Sequence, residues 1–112
     1  MSVSPEFKQF ALEQLARVTP NLRSKGMFGG VGIYAGEYFF ALIDDDTLYL
    51  KVDDGNRPTF EALGMGPFRP GGEVMQYYEV PGDMLDDVER LQPLVSGAIA
   101  VAERAKRKRK RS

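Results

Sequence analysis

The chain has 112 residues, 43% hydrophobic and 28% charged, which is enough for one domain with a core and too few for two. It contains neither Cys nor His, which excludes a disulfide framework, a thiol nucleophile, thiolate metal sites and the usual general base. No apolar run approaches the ~20 residues needed to span a bilayer, and Met1-Ser2-Val3-Ser4-Pro5-Glu6 lacks the basic and apolar regions of a secretory signal, so a cytoplasmic protein without membrane contact is expected.

The net charge of −1 conceals an asymmetry. Residues 1–103 hold eight basic and sixteen acidic side chains and carry −8, whereas residues 104–112 carry +7. An acidic body disfavours nucleic-acid binding by the folded surface, and the basic end favours polyanions.

In chain order, Ser4-Pro5-Glu6-Phe7 predicts a helix start, with Ser as N-cap, Pro in the first turn and Glu complementing the helix dipole. Phe7, Phe10, Ala11, Leu15 and Val18 then share one helical face, and Pro20-Asn21 ends it. Strands are expected over residues 22–27, 31–34, 38–43 and 47–52. They are separated by Gly29-Gly30 as a bulge or tight turn, by Ala35-Gly36-Glu37, and by Asp44-Asp45-Asp46. In the fourth strand Leu48, Leu50 and Val52 alternate with Tyr49 and Lys51.

Asp53-Asp54-Gly55-Asn56 supplies capping chemistry for a short helix with Phe60 and Leu63 on its buried side and Gly64 as its stop. Phe68 is placed in a short partner strand, and residues 74–80 form a further strand ended by Pro81-Gly82. Asp86 or Asp87 caps a last helix with Val88, Leu91, Leu94, Val95, Ala98, Val101, Ala102 and Ala105 on its apolar side. Pro93 either kinks that helix or belongs to the first turn of one starting near Leu91. The expected order is α-β-β-β-β-α-(β)-β-α, an α+β fold in which an antiparallel sheet is flanked by helices. The expected domain is residues 1–103, followed by a basic, disordered tail over 104–112.

Met27-Phe28-Gly29-Gly30, Phe40-Ala41-Leu42-Ile43, Leu48-Tyr49-Leu50-Lys51-Val52-Asp53, Arg57, Phe60 and Met75-Gln76-Tyr77-Tyr78-Glu79-Val80-Pro81 together resemble the N-terminal domain of the TfoX/Sxy family, which includes regulators of bacterial natural competence. The resemblance runs from about Leu15 to Ala102. It implies an α+β domain similar to secretion-chaperone-like folds, often dimeric, with a role in transcriptional regulation and no known catalytic reaction. Family members that act as competence regulators carry a second, helical C-terminal domain, so this chain is expected to be a stand-alone N-domain.

Several residues invite a functional reading. Arg104, Lys106, Arg107, Lys108, Arg109, Lys110 and Arg111 suit contact with nucleic-acid phosphates without sequence preference, and equally suit a solvated end or a contact with acidic residues of the body or a partner. No aromatic residue interleaves them, so base stacking is not expected. Gly29-Gly30-Val31-Gly32 follows a strand as a phosphate loop would, yet a strand rather than a helix comes next and no Gly-Lys-Ser/Thr ending exists, so a turn is expected. Asp44, Asp45, Asp46, Asp53 and Asp54 do not fill the positions of a calcium loop and are read as turn and capping residues, with no metal or cofactor expected.

Phe28, Tyr49, Lys51 and Arg57 form the candidate ligand or partner contact, against the plainer expectation of surface ion pairs from Lys51 or Arg57 to Asp53 or Glu61. The aromatic set Phe28, Tyr34, Tyr38, Phe39, Phe40, Tyr49, Tyr77 and Tyr78 exceeds what one side of a small sheet buries, so about half should point away from the helices. That face is then covered by a helix or offered to a partner subunit, and a homodimer contact is the expectation. The function expected is a non-enzymatic regulatory protein of the TfoX type acting through protein–protein association. The alternative is a nucleic-acid-associated regulator that uses its basic end.

Overall fold

The structure, a computed structural model, describes residues 3–27 and 29–111, the side chains of residues 110 and 111 excepted. Phe28 and the side chains of Lys110 and Arg111, all named above as candidate contacts, lie outside the described residues. The elements are α1 (Pro5–Ala16), β1 (Leu22–Met27), β2 (Gly30–Ala35), β3 (Tyr38–Asp44), β4 (Thr47–Lys51), α2 (Arg57–Ala62), β5 (Tyr77–Glu79), α3 (Gly82–Leu85) and α4 (Val88–Arg111). The five strands form one antiparallel sheet in the order β1-β2-β3-β4-β5. This is the α+β architecture expected, with one added turn of helix, α3, where Pro81-Gly82 read only as a break. The Pro81 carbonyl nucleates that turn by accepting from the Met84 and Leu85 amides at 3.0 and 3.2 Å.

Two-residue turns set the sheet register. The β3–β4 hairpin closes at Asp44 and Thr47, with Asp45 and Asp46 both left-handed at φ 51° and 52°. That is the backbone of the primed turns whose twist matches paired strands, and Asp tolerates it because its short side chain bonds locally. Gly36, at φ 61°, turns β2 into β3, and Gly29, at φ 81°, precedes β2. A Cβ on Gly30 would lie 2.5 Å from the Ile43 carbonyl oxygen, so backbones approach there as only glycine allows. The glycine run is thus a turn and a close strand contact.

Register divides the sheet residues between two faces. Val31, Ile33, Ala35, Ala41, Ile43, Leu48, Leu50 and Tyr78 alternate onto one face and join the core with Val52 and Val80. The pairing slips between Ile33 and Tyr34, since Ile33 faces Ala41 while Tyr34 faces Phe39. Phe40 is therefore the extra residue of a bulge and is fully buried beside Ala41. Against this face pack Ala11 and Leu15 of α1, Phe60 of α2, Leu85 of α3, and Leu91, Leu94, Val95, Ala98 and Ala102 of α4.

The helix ends follow their caps. Ser4 Oγ accepts from the Phe7 amide at 3.2 Å, and Asp87 Oδ1 accepts from the Glu89 and Arg90 amides at 3.2 and 3.4 Å. Phe10, expected on the apolar side of α1, is 37% exposed, and Gln14 takes a buried place instead, its Nε2 donating to the Leu85 carbonyl at 2.8 Å. Pro93 lies inside α4. It cannot donate to the Glu89 carbonyl, yet the helix continues past it.

The largest departure from expectation is at the C-terminal end. Residues 104–111 are helical as part of α4, where a disordered tail was expected. Ala, Lys and Arg are strong helix formers, and extending an existing helix avoids the cost of nucleation. Cations in the last turns also complement the helix dipole.

Candidate functional site

α1, α2, α3 and α4 each contribute to the core on one side of the sheet, and the other side presents a second, aromatic surface. Alternation puts Tyr34, Phe39, Leu42, Tyr49, Lys51 and Tyr77 there, together with Arg23 and Lys25 of the edge strand β1. Among the described residues of the aromatic set, Tyr38, Phe40 and Tyr78 turn to the helices while Tyr34, Phe39, Tyr49 and Tyr77 turn away, close to the even division expected. The rings on this open face pack on one another. Tyr34 and Phe39 stack with centroids 5.0 Å apart, Phe39 meets Tyr77 at 5.8 Å, and Tyr49 meets Phe68 at 4.7 Å.

Phe68 reaches Tyr49 because its segment pairs back on β5. Its amide donates to the Tyr77 carbonyl at 2.7 Å, and Pro67 bridges to Tyr78. This is the short partner strand expected, reduced to a single bridge. Tyr34, Phe39, Leu42, Tyr49 and Phe68 remain only half-buried after this packing. The nearby Val74 and Met75 are 49% and 39% exposed. Burial, then the charges of Glu79 and Asp44, push the Tyr49 phenol above its ordinary range.

The candidate contact residues Tyr49, Lys51 and Arg57 do not converge. Arg57 is held by Asp54 at 2.7 Å and by the Gln76 side-chain oxygen at 3.0 Å. Lys51 donates to the Tyr77 hydroxyl at 3.4 Å, with its ammonium 5.0 Å from the centre of that ring. The Lys51 ion pairs expected with Asp53 or Glu61 do not form. Asp53 is taken by Arg104, whose Nε and Nη2 both reach Oδ2, at 3.2 and 2.8 Å. Glu61 accepts from the Tyr78 hydroxyl at 3.3 Å.

The basic end of α4 is tied to the body. Besides Arg104–Asp53, Lys106 Nζ lies 2.6 Å from Glu37 Oε1 and 5.9 Å from the centre of the Tyr38 ring. Two of the turn Asp side chains accept from backbone amides: Asp46 Oδ1 from that of Ser4 at 2.6 Å, and Asp53 Oδ1 from that of Gly55 at 2.9 Å. Among the described residues no three carboxylates gather as metal ligands, and no helix is long and apolar enough to cross a membrane.

The sequence reading missed the cleft where α4 meets the end of the sheet. Ala102, Ala105, Lys106 and Arg109 form one stripe along α4, at helical i, i+3, i+4 and i+7 spacing. With Tyr34, Glu37, Tyr38, Phe39 and Lys51 this stripe encloses about 180 Å³. The stripe was legible in the sequence only if the helix was taken to continue past Glu103.

The fold and these surfaces define a small α+β domain with one helical layer and an open aromatic sheet face. The family model of the TfoX N-terminal domain matches residues 13–102, and the chain belongs to that family. Comparison with curated proteins finds no match.

Proposed function

We propose that this chain is a non-enzymatic regulatory protein of the TfoX type that works by protein–protein association, forming a homodimer and engaging a regulatory partner in transcriptional control. The observation that carries this reading is the open face. Tyr34, Phe39, Leu42, Tyr49 and Phe68 form a contiguous, half-buried aromatic and aliphatic patch rimmed by Arg23, Lys25 and Glu79. A central apolar patch with a polar rim is the anatomy of an association surface. Family membership supports the regulatory part of the reading, and the lack of His and Cys supports the non-enzymatic part.

Sedimentation velocity over a concentration series tests it. The wild type should move from the 12.5 kDa chain mass toward twice that value as concentration rises. Leu42→Lys places a charge at the centre of the patch and should hold the protein at the chain mass without lowering its melting temperature. A wild type that stays monomeric throughout, or a Leu42→Lys variant that associates equally well, contradicts the homodimer.

A second reading is favoured by the helical basic end. Arg107, Lys108 and Arg109 are exposed side chains on a continuous helix, a geometry that can track phosphates. Affinity for a random-sequence DNA duplex should then fall with salt, with a log–log slope approaching about −6 if all seven basic residues engage phosphates. A shallower slope is expected if Arg104 and Lys106 keep their carboxylates. Absence of binding at low salt contradicts this second reading.

A further inference from the structure

The two edges of the sheet are finished differently. At β5 the outer edge is occupied. The Phe68 amide donates to the Tyr77 carbonyl at 2.7 Å, the Glu79 amide donates to the Gly66 carbonyl at 3.1 Å, and Pro67 bridges to Tyr78. At β1 no strand lies beyond, among the described residues, and residues 23–26 are exposed. The Gly36 amide donates to the Asn21 carbonyl at 2.9 Å, which fixes the phase of the β1–β2 ladder. Bonded and non-bonded pairs alternate along an antiparallel ladder, so the backbones of Arg23, Lys25 and Met27 bond β2 while those of Leu22, Ser24 and Gly26 point outward. Among the described residues nothing pairs with these outward groups.

Gly26 has no reason within the chain to be glycine. Its backbone is not left-handed, and nothing lies within 4 Å of where a Cβ would sit. Glycine weakens a strand interior and commonly marks a place where another backbone approaches closely. Ser24, on the same side of β1, is also small, so the two leave a shallow shelf beside their partners Ile33 and Val31. On the other side of β1 stand only Arg23, Lys25 and Met27. Arg23 donates to the Gly36 carbonyl at 3.1 Å and lies 6.0 Å from the centre of the Tyr34 ring. Neither Arg23 nor Lys25 pairs with a carboxylate among the described residues.

These charges decide between occupants of the edge. A two-fold axis that joins two copies edge to edge keeps each side of β1 facing its own side in the second copy. Centred on Ser24, it sets Arg23 opposite the second copy's Lys25; centred on Lys25, it sets the two Lys25 side chains against each other. Like charges directly opposite are destabilising, and edge cations guard strands against self-pairing. The same cations favour a strand that brings carboxylates to those positions.

We infer that the β1 edge takes up, by strand addition, an extended acidic segment of another protein. Asp or Glu at alternate positions lie opposite Arg23 and Lys25, and the apolar or aromatic side chains between them lie over Ser24 and Gly26. Backbone bonds to Leu22, Ser24 and Gly26 supply affinity, and the alternating side chains supply selectivity. A ring opposite Gly26 covers the bare backbone there. This edge lies apart from the patch centred on Leu42, and its occupation does not depend on the homodimer proposed above.

NMR titration of the isotope-labelled full chain tests the inference. The probe is a capped peptide that alternates Glu with Val and Phe, and the controls are the same peptide with Lys in place of Glu and with alternate backbone nitrogens methylated. The Glu peptide should shift the β1 amides saturably, give NOEs to β1, and slow exchange of the Ser24 and Gly26 amides at least tenfold. Neither control peptide should bind. Lys25→Glu should weaken the Glu peptide at least tenfold and admit the Lys peptide, whereas Lys8→Glu, on α1, should change neither. Gly26→Pro removes an outward N–H without touching the β1–β2 ladder and should abolish binding. The exchange of partners in Lys25→Glu keeps the test decisive if Gly26→Pro does not fold. Equal affinity for the Glu and Lys peptides, shifts centred on Leu42 or α4 instead of β1, or no saturation even at low salt overturns the inference. Protection of Ser24 and Gly26 that rises with protein concentration alone assigns the edge to a second copy and likewise overturns it.

Discussion

Tyr77 belongs to the face turned away from the helices, yet only 5% of it is exposed. Phe39 and Lys51 both pack against its ring. Burial, with the charge of Tyr34 adding to it and that of Arg109 opposing it, pushes the phenol up to about 12. An unfolded tyrosine titrates near ~10, so the folded state holds this proton more tightly. The resulting stability is fully present below that unfolded value and is lost as the pH rises through about 12. Alkaline titration of phenolate absorbance in wild type and Tyr77→Phe should differ by one tyrosine ionising near pH 12, and a difference centred near the ordinary value of ~10 contradicts the enclosure. Alternation alone placed Tyr49 and Lys51 on one side of β4. The Lys51–Tyr77 contact was not legible, because it depends on the pairing of β4 with β5 across a 26-residue separation.

At the scale of the element, α4 shows both what sequence carries and what it conceals. Its apolar stripe from Leu91 to Ala102 was readable from helical spacing and is buried as expected. Its length was not, because a run of Lys and Arg suggests mutual repulsion, and the charges that offset it lie elsewhere in the chain. Glu37 is 69 residues from Lys106, and Asp53 is 51 from Arg104. At Asp53 partial desolvation works upward, but the hydrogen bonds from Arg104 and from the amides of Gly55 and Asn56 outweigh it and hold the carboxyl below the usual range. The clamp therefore persists at neutral and mildly acidic pH and is lost as the pH falls through that lowered value. Because the pair is partly exposed, Asp53→Asn should cost less than ~1 kcal/mol of global stability. It should nevertheless speed amide exchange at residues 104–109 several-fold while leaving the buried part of α4 unchanged. Equal exchange in both proteins would show that the pair does not hold the helix end.

At the scale of the whole molecule, the helices pack on one side of a five-stranded sheet and leave the second, aromatic side open. The antiparallel meander, the α+β class and the division of aromatics between faces were legible because β2, β3 and β4 carry distinct turn residues and a period of two. The cleft at the end of α4 was not, since it exists only where three strand ends and one helix meet. A competing surface is the outer side of α1, where Phe10 is 37% exposed. An isotope-filtered NOE experiment on a mixture of labelled and unlabelled chains distinguishes the two most directly. The account predicts intermolecular NOEs to the Leu42 methyls and to the Phe39 and Tyr49 rings. Intermolecular NOEs confined to Phe10 and its neighbours on α1, or none at concentrations well above the cellular range, would contradict it.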